Sequence, residues 1–408
     1  MSKPGEHGFT WDNDDAQTGT DDVLRVGEKT QVAKDDRTIK DDLQDYIFMN
    51  PRRKKKHSGK SSSHKSRRKK RKMKTWKKVL ISIACVLMSL VLIMVGTVVF
   101  LVFKGQNELI GGEIQITAPD TLDASLQEGG KYVVYNGETY KLNENITSML
   151  FMGVDKRDMD DLGEMGANGQ ADVIVLLAID FNNRKLTLIN VPRDTMTDVS
   201  IYSTAGYYTG MQRQQICLSY AYGDGKESSC ENTVTSVRRV FYNIPVNTYF
   251  SLDLDGISAI NDIVGGVDVV SPETIEQFTK GQQYHLQGMQ AERFVRARVH
   301  DRAEANILRM ERQQIYAKGF MEKVMSEVKE NPSTAVSLFN ESSPYSCTSL
   351  NASRVMYMAQ DIAMHGSLNA EFITVPGKST LNENEYAEFN ISEKEFYEQF
   401  LSVFYEKI

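Results

Sequence analysis

The sequence predicts an α/β layered domain carried behind a single membrane-spanning helix. Three observations predict it. Residues 79–103 form a run of 25 without one charged side chain. DVIVLLAID at 172–180 is nearly continuous in apolar residues, the pattern of a strand buried on both faces. From there to residue 408, strand-length apolar runs alternate with runs of helical period, which implies helices layered on a sheet.

The apolar run comes first in the chain. At about 1.5 Å per residue it is long enough for a hydrocarbon core of roughly 30 Å. It is too long for an ordinary core helix and starts too far along for a cleaved leader. Between Arg52 and Lys78 stand 16 Lys and Arg and no acid. Positive charge beside a span stays in the cytoplasm. The N-terminus is therefore expected inside, with residues 104–408 outside. Residues 1–50, net −6 and without sustained apolar period, read as a disordered acidic cytoplasmic tail. Residues 51–78 are a polybasic juxtamembrane segment suited to anionic lipid headgroups. No recognition module accompanies them, so no specific nucleic acid is expected. Residues 79–408 carry −16, so arginine clusters there are not part of a generally basic surface.

Residues 104–145 read as an extracytoplasmic stalk with some strand character. Strands are expected at 148–153, 172–180 and 185–191, the last two joined by a turn at 181–184 into an antiparallel hairpin. Helices are expected at 230–242, 256–263, 287–296 and 307–328, with strands at 248–252 and 267–270 between them. Residues 353–364, 371–375 and 393–405 read helix, strand, helix. Of four cysteines, Cys85 lies in the span. Cys217, Cys230 and Cys347 lie beyond it at spacings that match no disulfide framework or zinc signature. A Cys217–Cys230 bridge and free thiols both stay open.

Three segments concentrate charge where ligands are usually held. GVDKR at 153–157 follows an apolar strand, and Asp155 and Arg157 would point the same way in extended chain. A hairpin brings the start of one strand beside the end of the other, so Asp172 and the Arg193 of PRDT should share one end of the sheet. The segment 293–314 holds six arginines and no lysine, with Arg309 and Arg312 on one helical face. Arginine suits forked recognition of phosphate. Two carboxylates and several arginines together suit a diphosphate bound with a divalent cation.

These segments, with INVPRDT at 189–195, LSYAYGDG at 218–225, INDIVGGVDV at 260–269 and FVRAR and LRMERQQ within 294–314, resemble the LytR-CpsA-Psr family of cell-wall enzymes. The resemblance is dense over 146–330 and is carried by the ordered set rather than by any one motif. It implies a layered α-β-α catalytic domain with a central mixed sheet at 146–330, and a C-terminal α/β extension at 331–408 packing on it. It implies a Mg²⁺- or Mn²⁺-dependent phosphotransferase that moves a glycopolymer, a teichoic acid or capsule-like polysaccharide, from a polyprenyl-pyrophosphate carrier to peptidoglycan. By match, Asp155 and Asp172 would hold the metal. Asp155, Arg157 and Arg193 would be catalytic. Arg157, Arg193, Arg296, Arg298, Arg309, Arg312 and Gln313 would bind the pyrophosphate, and the lipid tail would lie between apolar walls. The chain departs from the family pattern at 304–308 and 199–215. A receptor or regulator of envelope biogenesis, and a pyrophosphate hydrolase using the same site, are the alternatives.

Overall fold

The computed structural model describes residues 75–109, 115–160, 166–297 and 305–408. The expected tail and most of the polybasic segment lie outside the described residues, as does Arg298.

Helix α1 runs Thr75–Leu109. Strands β1 (Ala124–Gln127), β2 (Tyr132–Tyr135) and β3 (Glu138–Leu142) follow, then β4 (Ile146–Val154), β5 (Ala171–Asp180) and β6 (Lys185–Asn190). A second hairpin, β7 (Met196–Tyr202) and β8 (Tyr208–Gln215), leads to α2 (Glu227–Val240), β9 (Thr248–Leu252) and α3 (Leu254–Ile263). Next come β10 (Val267–Val270), β11 (Gln283–Leu286), α4 (Met289–Arg296), α5 (Ala305–Glu330) and α6 (Ser333–Ser342). The chain continues through β12 (Ser346–Thr348), α7 (Ala352–His365), β13 (Asn369–Thr374), β14 (Gly377–Leu381), β15 (Ala387–Ile391), α8 (Glu393–Phe404) and β16 (Tyr405–Lys407).

The central sheet has the order β12-β9-β4-β5-β6-β13. It is mixed: β4 runs antiparallel to β5 but parallel to β9, and β6 antiparallel to β5 but parallel to β13. Residues 331–408, expected to pack on the domain, supply both edge strands. The predicted hairpin is present in register, Asp180 opposite Lys185. Its turn closes where the Asn183 N–H donates to Asp180 Oδ1 at 2.9 Å, with Arg184 in the left-handed region at φ 53°. Asparagine and aspartate favour such turns because their side chains bond the local backbone.

Alternation places the two faces. Leu150, Met152, Val154, Ile174 and Leu176 turn toward α2 and α8 in the largest core. Leu177, Ile179, Leu186 and Leu188 turn toward Met325 of α5 and the half-buried apolar residues of α7. Helices on both faces of a mixed sheet make the α-β-α layering expected. One stretch of the second face is covered less completely: Met149, Phe151, Val173, Val175 and Phe250 are half-buried, and Phe151 and Phe250 stack at 6.2 Å.

Helix α1 is long and apolar enough to cross a membrane over Ile83–Leu109. Its last turns pack on α7. Gly105 makes that approach possible, since a Cβ there would lie 2.1 Å from the Ser353 carbonyl oxygen. Asn351 Nδ2 donates to Glu108 at 2.7 Å, and Leu109 is 1% exposed.

Candidate active site

The site lies at one end of the central sheet, where β4, β6 and β9 finish and β5 begins. In open α/β sheets this carboxyl end is where ligands bind. Strand β4 ends in a bulge between Gly153 and Val154. Asp155 comes next, its N–H donating to the Gln170 carbonyl at 3.1 Å. Asp172 is the second residue of β5. Arg193 rides a tight turn: the Thr195 N–H and hydroxyl both donate to the Pro192 carbonyl, at 2.9 and 2.6 Å. That turn sends the guanidinium back across the hairpin, where it pairs with the Asp172 carboxylate and donates to Gln170 Oε1 at 2.5 Å. It also donates to Cys217 Sγ at 3.6 Å and reaches Asp194 at 3.4 Å.

The charges at this pole oppose one another. The Asp155 carboxyl stands above the usual aspartate range, because the protein wall behind it strips hydration and the Asp172 carboxylate repels its charge. Arg193 and Arg296 pull in the other direction without prevailing. Asp194 is raised by burial, against the attraction of Arg193 and Arg309. Burial pushes the Cys217 thiol up to about 11, so it is a neutral hydrogen-bond partner at ordinary pH. Asp155, Asp172, Arg193, Arg296, Asp194 and Arg309 thus share one electrostatic neighbourhood.

A second pole is built from helices. Because β4 ends at Val154, strand alternation does not extend to Arg157. Its guanidinium turns instead to Asp255 of α3 at 2.6 Å and Glu292 of α4 at 3.0 Å. Glu292 also takes Arg296, one turn further along α4, at 2.7 Å on the same carboxylate oxygen. The Glu292 side chain is 8% exposed while those of Arg157 and Arg296 are 58% and 46% exposed, so one buried anion holds two outward-facing cations. Arg312 is placed differently. It is 1% exposed, with Nε on the Phe294 carbonyl at 2.8 Å and its other nitrogens on Glu273 and the Ala297 carbonyl. Gln313 Nε2 donates to the Val295 carbonyl at 3.4 Å. Both therefore tie down the end of α4, which carries Arg296.

The structure brings Asp155, Asp172, Arg193 and Arg296 together, sets Arg157 beside Arg296, and puts Arg312 and Gln313 behind them as support. Glu292, Gln170 and Cys217 were not singled out by sequence as site residues. Glu292 had a visible signal, standing four residues before Arg296. Gln170 and Cys217 had none. Other motifs are structural: buried Asn261 joins α3 to the Leu286 carbonyl at 2.9 Å, and the Tyr220 hydroxyl donates to the Gly225 carbonyl at 2.7 Å. Cys217 and Cys230 are unbridged and have different partners, Arg193 for one and Ser251 for the other.

For a cation, Asp155 and Asp172 offer oxygen donors and a mutual repulsion that positive charge would relieve. That suits Mg²⁺, which takes one or two carboxylates and completes its shell with water and substrate phosphate. Among the described residues no group of three or more His, Cys, Asp or Glu gathers as a closed metal cage.

Residues 116–401 match the model of the LytR_cpsA_psr family. The polyisoprenyl-teichoic acid--peptidoglycan teichoic acid transferase TagV of Bacillus subtilis (strain 168) is 28% identical over 198 residues, 46% of this chain and 46% of its own. TagU of Enterococcus faecalis (strain ATCC 700802 / V583), with the same enzyme name, is 29% identical over 188 residues, 45% of this chain and 55% of its own. The chain spans about half the length of these curated relatives. The crystal structure of protein gbs0355 from Streptococcus agalactiae has the same fold, with a TM-score of 0.52 at 16% identity over 64% of this chain and 86% of that one.

Proposed function

The chain belongs to the LytR_cpsA_psr family, and on that premise we propose that it is a membrane-anchored phosphotransferase, moving a glycopolymer of the teichoic-acid kind from a polyprenyl-pyrophosphate carrier onto peptidoglycan. One observation carries this reading beyond family membership. Two mutually repelling carboxylates stand beside Arg193 and Arg296 at the carboxyl end of the sheet, the equipment a diphosphate and a cation require. The names of TagV and TagU support the choice of donor and acceptor. The basic flank before α1 supports a cytoplasmic N-terminus and an active domain outside.

In this reading an acceptor hydroxyl attacks the glycan-bearing phosphorus. The bond from that phosphorus to the bridging oxygen breaks, polyprenyl phosphate leaves, and the hydroxyl proton passes to solvent. Mg²⁺ or Mn²⁺, held by Asp155 and Asp172, would supply charge neutralisation on the diphosphate. Asp155 is assigned as a ligand rather than the base. Arg193 orients one phosphate from the sheet side while Arg157 and Arg296 face it from the helix side, as paired guanidinium forks can. The half-buried stripe of Phe151, Val173, Val175 and Phe250 leads away from Asp172 and suits the first isoprene units of the carrier.

The test is turnover of a polyprenyl-diphosphate-linked glycan by the detergent-solubilised chain, with and without peptidoglycan fragments. The expected product is a phosphodiester between glycan and peptidoglycan, lost in Asp155→Ala and on chelation of divalent cations. Glycan phosphate released equally with or without acceptor would make the protein a hydrolase. Absence of any turnover, with a phenotype that depends on residues 1–70, would make it a regulator.

A further inference from the structure

Cys230 and Cys347 are far apart in sequence and meet on one face of the central sheet. Cys347 is the middle residue of β12 and lies directly opposite Ser251 of β9 in antiparallel register. Residues opposite one another in a strand pair carry their side chains on the same face. The Ser251 hydroxyl, fully buried, accepts from the Cys230 thiol of α2 at 3.4 Å and donates to the Cys347 carbonyl at 3.0 Å. The Cys230 thiol and the Cys347 backbone both bear on this one hydroxyl, the Cys347 N–H donating to it at 3.3 Å, and the two thiols interact with each other. Both are reduced, Cys230 buried and Cys347 half-buried. The contact divides the labour: the Cys230 thiol, as hydrogen-bond partner, holds Cys347 below the ordinary thiol range, so the more accessible sulfur is also the more readily ionised.

We propose that Cys230 and Cys347 form a reversible disulfide that staples the sheet edge at β12 to helix α2. The oxidant is a small disulfide such as glutathione disulfide. The Cys347 thiolate attacks one of its sulfurs, forming a mixed disulfide and releasing one thiol. Cys230 then loses its proton and attacks Cys347 Sγ, expelling the second thiol. Two electrons pass to the oxidant, and the two protons end on the two released thiols. Cys217 stays outside this exchange, being buried against Arg193. The bond closes a loop of roughly a hundred residues, a length at which a cross-link restricts the unfolded chain strongly. That loop contains α3, α4 and α5, and so Arg296, Arg309 and Arg312. The staple is independent of which reaction the site catalyses.

The experiment uses the full chain in mild detergent, equilibrated with glutathione disulfide at pH 8, then denatured, alkylated and digested. Peptide mapping should show one linked pair, Cys230 with Cys347, and alkylated Cys217. The oxidised protein should melt about 5–10 °C above the reduced one. In Cys347→Ala, Cys230 should stay alkylatable and the rise should vanish. A Cys217–Cys230 link, a Cys347 that stops at the glutathione adduct, or complete alkylation of both thiols would overturn the proposal. So would a linked pair with no change in melting temperature, since the staple would then constrain nothing.

Discussion

The two poles of the site are built by different means. At the hairpin pole, Asp172 lies at the start of β5 and Arg193 on the tight turn just beyond β6, so hairpin register and that turn bring them together. At the helical pole, Arg157, Asp255 and Glu292 come from three separate elements, and only the packing of α3 and α4 against the end of β4 unites them. The first pole is half-buried and contains like charges that repel. The second places a single buried carboxylate beneath two exposed guanidinium groups. The difference teaches that one site can hold its reactive charges under tension at one end and fully compensated at the other.

The largest expected effect lies at the first pole. Asp172→Ala should lower turnover by on the order of 10²–10³, the scale of removing one preorganised electrostatic group, with little change in melting temperature. A large drop in melting temperature would make Asp172 structural and erase the contrast. Next is Arg312→Leu, which leaves Glu273 as an unpaired buried carboxylate. Such a loss costs about 3–5 kcal/mol, read as a fall of about 10 °C in melting temperature, while turnover at low temperature falls less than about tenfold. Glu292→Gln should sharpen the picture of the second pole. It keeps the shape but releases Arg157 and Arg296 from a shared anchor, so kcat should drop about tenfold, the scale of about 1.4 kcal/mol, while affinity for inorganic pyrophosphate is kept. A loss of affinity with unchanged kcat would make Glu292 a binding rather than a positioning residue.

The smallest effect is a titration. Burial and Asp172 raise the Asp155 pKa above its unfolded value, so keeping Asp155 charged at neutral pH opposes folding, and that cost disappears as pH falls through the raised pKa. Asp155→Asn should therefore hold or slightly raise the melting temperature. In a ¹³C NMR titration of the metal-free chain the Asp155 midpoint should exceed about 3.9 and move down in Asp172→Asn. An unmoved midpoint would show that the two carboxylates do not interact.

Much of the fold was legible because burial is periodic. β5 is buried on both faces near its end, and the expected strands at 248–252 and 267–270 match β9 and β10. The β7-β8 hairpin was not foreseen. β8 reads YTGMQRQQ and is exposed along most of its length, so it has no buried face to imprint an alternation. The edge strands β12 and β13 were harder to assign to the central sheet, since a pairing between residues 251 and 347 has no local signature. At the site, the sign and approximate place of Asp155, Asp172, Arg193 and Arg296 could be read from motifs, while the Glu292 anchor and the turn of Arg157 toward it could not. What could not be read is which arginine faces outward. Arg309 and Arg312 share a helix, but Arg312 turns inward because Glu273 and two carbonyls of the α4 terminus await it.

The helix α1 has one further consequence. Its apolar stretch and the turns that grip α7 belong to the same unbroken rod of 35 residues, about 50 Å long. A domain on a slack tether samples many heights and tilts above a bilayer. One mounted on a rod, clamped through Gly105 and Glu108, inherits the rod's inclination instead. In the proposed membrane-anchored arrangement, the distance between the sheet's carboxyl end and the lipid surface is a property of the fold, and the proposed carrier headgroup would meet the site at a single working height.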